Sequence, residues 1–168
     1  MLESLVLAAA AVVTALAVRR RWWLTRVRSW SMYPGLRPGD LVVTRATQGP
    51  AGLRRGDVVA IDSAELGRRV VKRIVGLPGE SVRVAPGGIN VGGRWLDEPY
   101  PTLRGGSTGT FQVPAGAYLV LGDNRPCSSD SRAWVEPYLT ADAIRGRLAG
   151  RPLLRVARTA KPSRCRDR

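Results

Sequence analysis

The sequence predicts an all-β domain, a folded or closed antiparallel sheet, behind a single N-terminal transmembrane helix. Three observations carry this. One uninterrupted apolar run stands at the start of the chain, with no second one like it. After it come seven short apolar segments, each cut off by Gly, Pro or Asp. The 19 Gly and 12 Pro leave almost no stretch that reads as a long helix. At 168 residues there is room for one ordinary domain and a short extra element. The expected division is residues 1–24 as anchor, 25–150 as the domain and 151–168 as a basic tail.

The first element is "SLVLAAAAVVTALAV", Ser4 to Val18. Fifteen helical residues span about 22 Å, short of a hydrocarbon core of about 30 Å. Extending the helix through Arg19 to Leu24 brings it to about 21 residues. The arginines then snorkel, and Trp22 and Trp23 fall where an interfacial aromatic belt lies. Two alternatives stay open. "ALA" at Ala15 to Ala17 fits the cleavage site of a secretory signal, although the preceding "MLES" lacks a basic residue. A buried soluble helix is the other.

The following segments, "DLVVTRA", "GDVVAID", "RRVVKRIVG", "ESVRVA", "GINVGGRWL", "TFQVPAG" and "AYLVLGD", read as strands of four to seven residues with turn residues between them. "PGGINVGG" reads as a hairpin and "TLRGGSTGT" as a flexible loop. "TADAIRGRL" resembles a helix, with Thr140 as its N-cap. No internal repeat is present.

A formal net charge of +14 suggests a polyanionic partner, nucleic acid or an anionic membrane surface. The arginine clusters after the apolar run and in "RVARTAKPSRCRDR" sit on no helix-turn-helix and on no aromatic-studded strand, so nucleic acid is not the expected partner. Membrane lipid is. Cys127 and Cys165 are too few for a metal cage without histidine and too few for a disulfide scaffold. They are two free thiols or one bridge. No cofactor and no metal are expected.

"SWSMYPGLRPGD", Ser29 to Asp40, places two serines one residue apart in a chain with no histidine. A serine becomes a nucleophile only when a base takes its proton, and every Ser-His triad is excluded. The remaining bases are carboxylates, an α-amine or lysine. Of 27 basic residues only Lys72 and Lys161 are lysine. Arginine stays charged at any working pH, whereas a desolvated lysine can shed its proton. In "RRVVKRIVG" the period-two alternation puts Val70, Lys72 and Ile74 on one face, an apolar setting for the amine. Lowering a lysine pKa from about 10.4 to about 7.5 needs roughly 4 kcal/mol, which near-complete burial supplies. A strand lysine that simply reaches solvent is the alternative.

Taken together and in order, "SWSMYPGL", "VVKRIVGLPGESV" and "YLVLGDNRPCSSDSR" resemble the type I signal peptidases, membrane-bound Ser-Lys endopeptidases. "GDVVAI", "WLDEPY" and "FQVPAGAY" extend the likeness, which runs from about Val27 to Leu148. The resemblance implies a signal-peptidase-like all-β fold and a serine endopeptidase that removes N-terminal signal peptides from exported proteins, cutting after small residues. By the match, Ser31 is the nucleophile and Lys72 the general base. Ser29 joins the backbone N–H of Ser31 in the oxyanion hole. Ser128 orients the lysine, and Asp130 with Arg132 supports the site as a charged pair. Gly122, Asp123 and Asn124 shape the turn that presents them. Met32, Leu36, Val70 and Val71 match positions near shallow substrate pockets, with plain core packing as their alternative. The implied substrate is a preprotein or propeptide bound as an extended strand.

The chain departs from the family pattern at Pro126 and Cys127, which replace a polar pair, and at Val135, where a glycine commonly stands. A short segment between the lysine and "GDN" blocks implies a compact form without a large inserted domain. The implied localisation is a single-pass membrane protein with its domain outside the cytoplasm. Arg19 to Arg21, Arg26 and Arg28 oppose that orientation by the positive-inside rule. A propeptide maturase on the cytoplasmic side is the alternative function.

Overall fold

A computed structural model describes residues 21–155 except 48, 50 and 101, together with residues 4, 6 and 7. Among the described residues the fold is all-β, with every strand pairing antiparallel. In chain order the strands are β1 (Trp22–Arg26), β2 (Leu41–Ala46), β3 (Val58–Ser63), β4 (Arg68–Gly76), β5 (Ser81–Ala85), β6 (Gly88–Val91), β7 (Arg94–Trp95), β8 (Gly109–Gln112), β9 (Ala117–Leu121), β10 (Tyr138–Thr140) and β11 (Ile144–Leu148). Seven of them form one sheet, ordered β1-β2-β11-β3-β4-β9-β10. The other four form a smaller sheet, ordered β7-β6-β5-β8. The smaller sheet holds the strands of the short segment between the lysine and "GDN" blocks, joined by a loop between β7 and β8.

Strand β9 explains how the sheets join. "AYLVL" has no polar alternation because both of its faces are covered. Tyr118 and Val120 pack with Val59, Ile61, Ile74, Trp134, Leu139 and Ile144. Ala117, Leu119 and Leu121 face the other way, onto Val75, Val82, Val84, Ile89 and Val113, which ties the small sheet to the large one. Each aliphatic side chain removed from water in this way contributes about 1.5–3 kcal/mol. The tight β6–β7 hairpin turns on Gly92 and Gly93, whose φ values of +57° and +87° suit a primed two-residue turn. "GINVGGRWL" is therefore two strands and not one.

Two further sequence expectations are corrected. Trp22 to Leu24, assigned above to the end of the anchor, belong to β1 and pair with Val43 to Arg45 of β2. The reason is a period of two: Thr25 and Val27 are buried while Leu24, Arg26 and Arg28 are exposed, which suits a sheet edge and not a helix. "TADAIRGRL" is a single 3₁₀ turn, Ala141–Ala143, followed by β11. Ile144 and Gly146 alternate inward, and at Gly146 a Cβ would lie 2.5 Å from the Trp23 ring and 2.6 Å from the Arg45 carbonyl oxygen. Thr140 precedes the turn without a capping side-chain bond. Among the described residues no helix is long and apolar enough to cross a membrane. Residues 8–20 of the expected anchor, and most of the basic tail, lie outside the described residues.

Among the described residues, β1 and β4 each leave a backbone edge unpaired. Among the described residues β1 is an outermost strand of the large sheet and pairs only with β2. β4 pairs with β3 along residues 68–73, but β9 joins its other edge only from Arg73 onward. The second edge of β4 over residues 68–72 therefore carries no partner strand among the described residues.

Candidate active site

Between β1 and β2 the chain makes a loop whose neck is closed by the Val27 N–H on the Asp40 carbonyl, 2.9 Å, and the Gly39 N–H on the Val27 carbonyl, 2.8 Å. Met32 and Leu36 anchor it by packing with Val27 and Val42. Ser31 rides on this loop and is buried. Its Oγ lies 3.0 Å from the Ser29 Oγ, and its N–H is 3.4 Å from that same oxygen. The hydroxyl of Ser29 and the amide of Ser31 are thus close enough to address one small oxygen placed between them.

Lys72 projects from the middle of β4, opposite Val59 of β3, and is 3% exposed. The solvent-reaching alternative is thereby set aside. Its Nζ donates to the Ser128 Oγ at 2.9 Å. Ser31 and Lys72 line one cleft of about 470 Å³, together with Ser29, Met32, Val70 and Val71. Leu36 does not reach this lining; it packs behind it, in the core.

The segment after β9 fixes the two halves relative to each other. Gly122 sits where a Cβ would be 2.2 Å from the Ser128 Oγ and 2.5 Å from the Ser31 carbonyl oxygen, so the Ser31 loop and the partner of Lys72 meet over a bare backbone. Asn124 clamps the loop twice: its N–H donates to the Ser31 carbonyl at 2.9 Å and its side-chain amide to the Trp30 carbonyl at 3.0 Å. Asp130 accepts the Gly122 N–H at 2.9 Å and two guanidinium bonds from Arg132, at 2.8 and 2.9 Å. Arg132 also donates to the Arg125 carbonyl at 2.7 Å, bracing the 3₁₀ turn Arg125–Cys127 that leads to Ser128. The departures from the family pattern fall in and beside this turn. Cys127 is buried and disulfide-bonded, Pro126 is exposed, and Val135 lies exposed beyond the Asp130–Arg132 pair. Cys165 lies outside the described residues.

Arg73 was not singled out from the sequence, although it follows Lys72 directly. It forks onto Asp123 with bonds of 2.8 and 2.6 Å and lies 3.7 Å above the Tyr100 ring. Burial pushes the Asp123 carboxyl above its ordinary range while the Arg73 guanidinium opposes the shift. Burial, reinforced by Glu98, likewise pushes the Tyr100 phenol up. One more arginine among 25 carried no signal; its place one residue after the sole mid-chain lysine was the only hint.

Chemically, the cleft offers a hydroxyl, a buried amine held by a second hydroxyl, and a pair of hydrogen-bond donors, all next to two open strand edges. That set is what acyl transfer on an extended peptide requires.

Comparison with known proteins agrees. Residues 1–151 match the family model described as Signal peptidase, peptidase S26. Signal peptidase I U of Bacillus subtilis (strain 168) is 34% identical over 140 residues, covering 77% of this chain and 74% of that protein. Signal peptidase I of Leptolyngbya laminosa is 35% identical over 167 residues, covering 90% and 80%. The crystal structure of a signal peptidase I from Enterococcus faecalis V583 superposes with a TM-score of 0.51 at 31% identity, covering 58% of this chain and 97% of that one.

Proposed function

This chain belongs to the peptidase S26 family of signal peptidases and is a serine endopeptidase, and from that premise we propose that it cleaves signal peptides with a Ser31–Lys72 dyad. The substrate adds as an extended strand along the cleft between β1 and β4, backbone to backbone. Lys72, in its neutral form, takes the proton from the Ser31 hydroxyl as Oγ attacks the carbonyl before the cut. The Ser31 N–H and the Ser29 hydroxyl hold the oxyanion. Lys72 then gives the proton to the leaving amine, and the acyl-enzyme is hydrolysed by a water that the same amine deprotonates. Ser128 orients the amine, and Met32, Val70 and Val71 shape shallow walls that admit small side chains on either side of one bulkier residue.

The observation that carries this reading is a lysine 3% exposed, held by Ser128, in the same cleft as Ser31. A peptide with an Ala-x-Ala site tests it: the full chain in detergent should cut after the second alanine, and Ser31→Ala should not. An uncut peptide, with the chain folded, overturns the reading. Residues 1–21 would serve as the membrane anchor, with the domain on the outer side. The arginines after the apolar run favour a second reading, a propeptide maturase whose domain stays in the cytoplasm.

A further inference from the structure

We infer that the cleft also selects by charge: Arg26, Arg28 and Arg68 on its rim favour substrates with acidic side chains at the second and fourth residues before the cut. The inference rests on the cleft being the peptide site proposed above. Among the described residues its lining contains Arg26, Arg28, Arg68 and Arg69 and no carboxylate. All four arginines are exposed. Arg69 already forks onto Asp62, which Arg145 shares at 2.6 Å. Arg26, Arg28 and Arg68 form no ion pair among the described residues, and Glu65, on the turn before β4, forms none either.

The pleat assigns the positions. Along β1 and just beyond it, Thr25 and Val27 are buried and alternate with exposed Arg26 and Arg28. A strand laid beside this edge shares its alternation, so side chains entering the wall beside Thr25 and Val27 take turns with side chains lying beside the arginines. Where small residues one and three before the cut face the wall, residues two and four face Arg26 and Arg28; Arg68, on the same parity of β4 as Val70 and Lys72, adds its charge at the rim. Exposed pairs are individually weak, but three guanidinium groups round one short peptide act together at low salt and are screened as salt rises.

Three peptides test this, alike except for Glu, Gln or Lys at the second and fourth positions before an Ala-x-Ala cut. With the full chain in neutral detergent at low salt, kcat/KM should be about 10-fold higher for Glu than for Lys, with Gln between, and the ratio should fall towards one at about 1 M salt. The triple variant Arg26→Glu/Arg28→Glu/Arg68→Glu should invert the order. Binding of the same peptides to the Ser31→Ala chain, read by fluorescence anisotropy, should show the same ranking without turnover. Equal binding of Glu and Lys peptides overturns the charge inference even if the Gln peptide is cut normally. An uncut Gln peptide overturns the protease reading, and the binding ratio still decides this one. If the triple variant loses affinity for phosphatidylglycerol over phosphatidylcholine vesicles while the peptide ranking stays unchanged, the arginines serve the lipid surface and the inference falls.

Discussion

Gly122→Ala adds one methyl group where the structure has no space for it. The new Cβ would meet the Ser128 Oγ at 2.2 Å, the Ser31 carbonyl oxygen at 2.5 Å and the Ser128 Cβ at 2.6 Å. Ser128 can rotate away only by giving up its 2.9 Å bond to Lys72, and the Ser31 oxygen is backbone held by Asn124. Relief therefore requires the Ser31 loop and the Ser128 segment to separate by about 1 Å, a misplacement that typically costs about 10²-fold in rate. Overpacking of this kind costs about 1–3 kcal/mol in stability, which a domain of this size survives. The expected result is a folded variant with a urea midpoint lowered accordingly and kcat/KM on an Ala-x-Ala peptide down by about 100-fold or more. Gly87→Ala is the control: its Cβ would find its nearest neighbour, the Trp95 ring, at 4.0 Å, and both activity and midpoint should hold. Near-normal turnover in Gly122→Ala would refute the claim that this glycine sets the distance between the two halves of the site.

Lys72→Arg retains the charge and most of the stem but replaces the amine proposed to accept the Ser31 proton with a group that cannot, so turnover should vanish while circular dichroism stays native; a folded, active variant would refute the dyad. Ser29→Ala should lower kcat by about 10²- to 10³-fold, as loss of one oxyanion donor does, whereas Ser31→Ala should abolish acylation; equal, complete loss in both would mean their roles are misassigned. Ser107→Cys tests orientation: Ser107 is exposed and only its carbonyl bonds to Arg132, so the new thiol should react in intact cells with a membrane-impermeant reagent, against the unsubstituted chain as background. Labelling only after lysis would favour the cytoplasmic maturase.

Much of the strand pattern could be read from sequence because its signals are local. "RRVVKRIVG" is β4 end to end, β2, β5 and β9 fall within the segments that period and punctuation marked, and β3 and β8 each overrun theirs by one residue, at Ser63 and Gly109. The failures came where local pattern and tertiary position disagree. β1 hides behind an apolar run, so its tryptophans read as an aromatic belt. "IRGRL" has a helix-like lead-in, and only the closeness of the Trp23 ring and the Arg45 backbone to Gly146 shows why a strand with a bare Cα is needed there. The site divides in the same way. Val70, Lys72 and Ile74 on one apolar face followed from period two, but that Ser128, 56 residues away, would hold the amine came from family likeness and not from spacing.

Composition misled most where arginine is concerned, because the chain uses one residue type for two opposite tasks. Arg132 and Asp130 are 2% and 0% exposed at their side chains, Arg125 and Glu98 6% and 14%, and Arg73 and Asp123 11% and 1%. Such buried pairs add little net stability, yet removing one partner costs about 3–5 kcal/mol because a lone charge stays behind. They fix geometry: each one braces Gly122, Asp123 or the turn after them, and each cancels its own charge. The excess positive charge therefore resides elsewhere, and Arg26, Arg28 and Arg68 place part of it on the rim of the cleft. This bears on orientation, since two of the five arginines that oppose an outward-facing domain then have a role in the folded site that owes nothing to the cytoplasmic face. Guanidinium suits both tasks because it never gives up its proton, and for that same reason it cannot replace the amine at position 72.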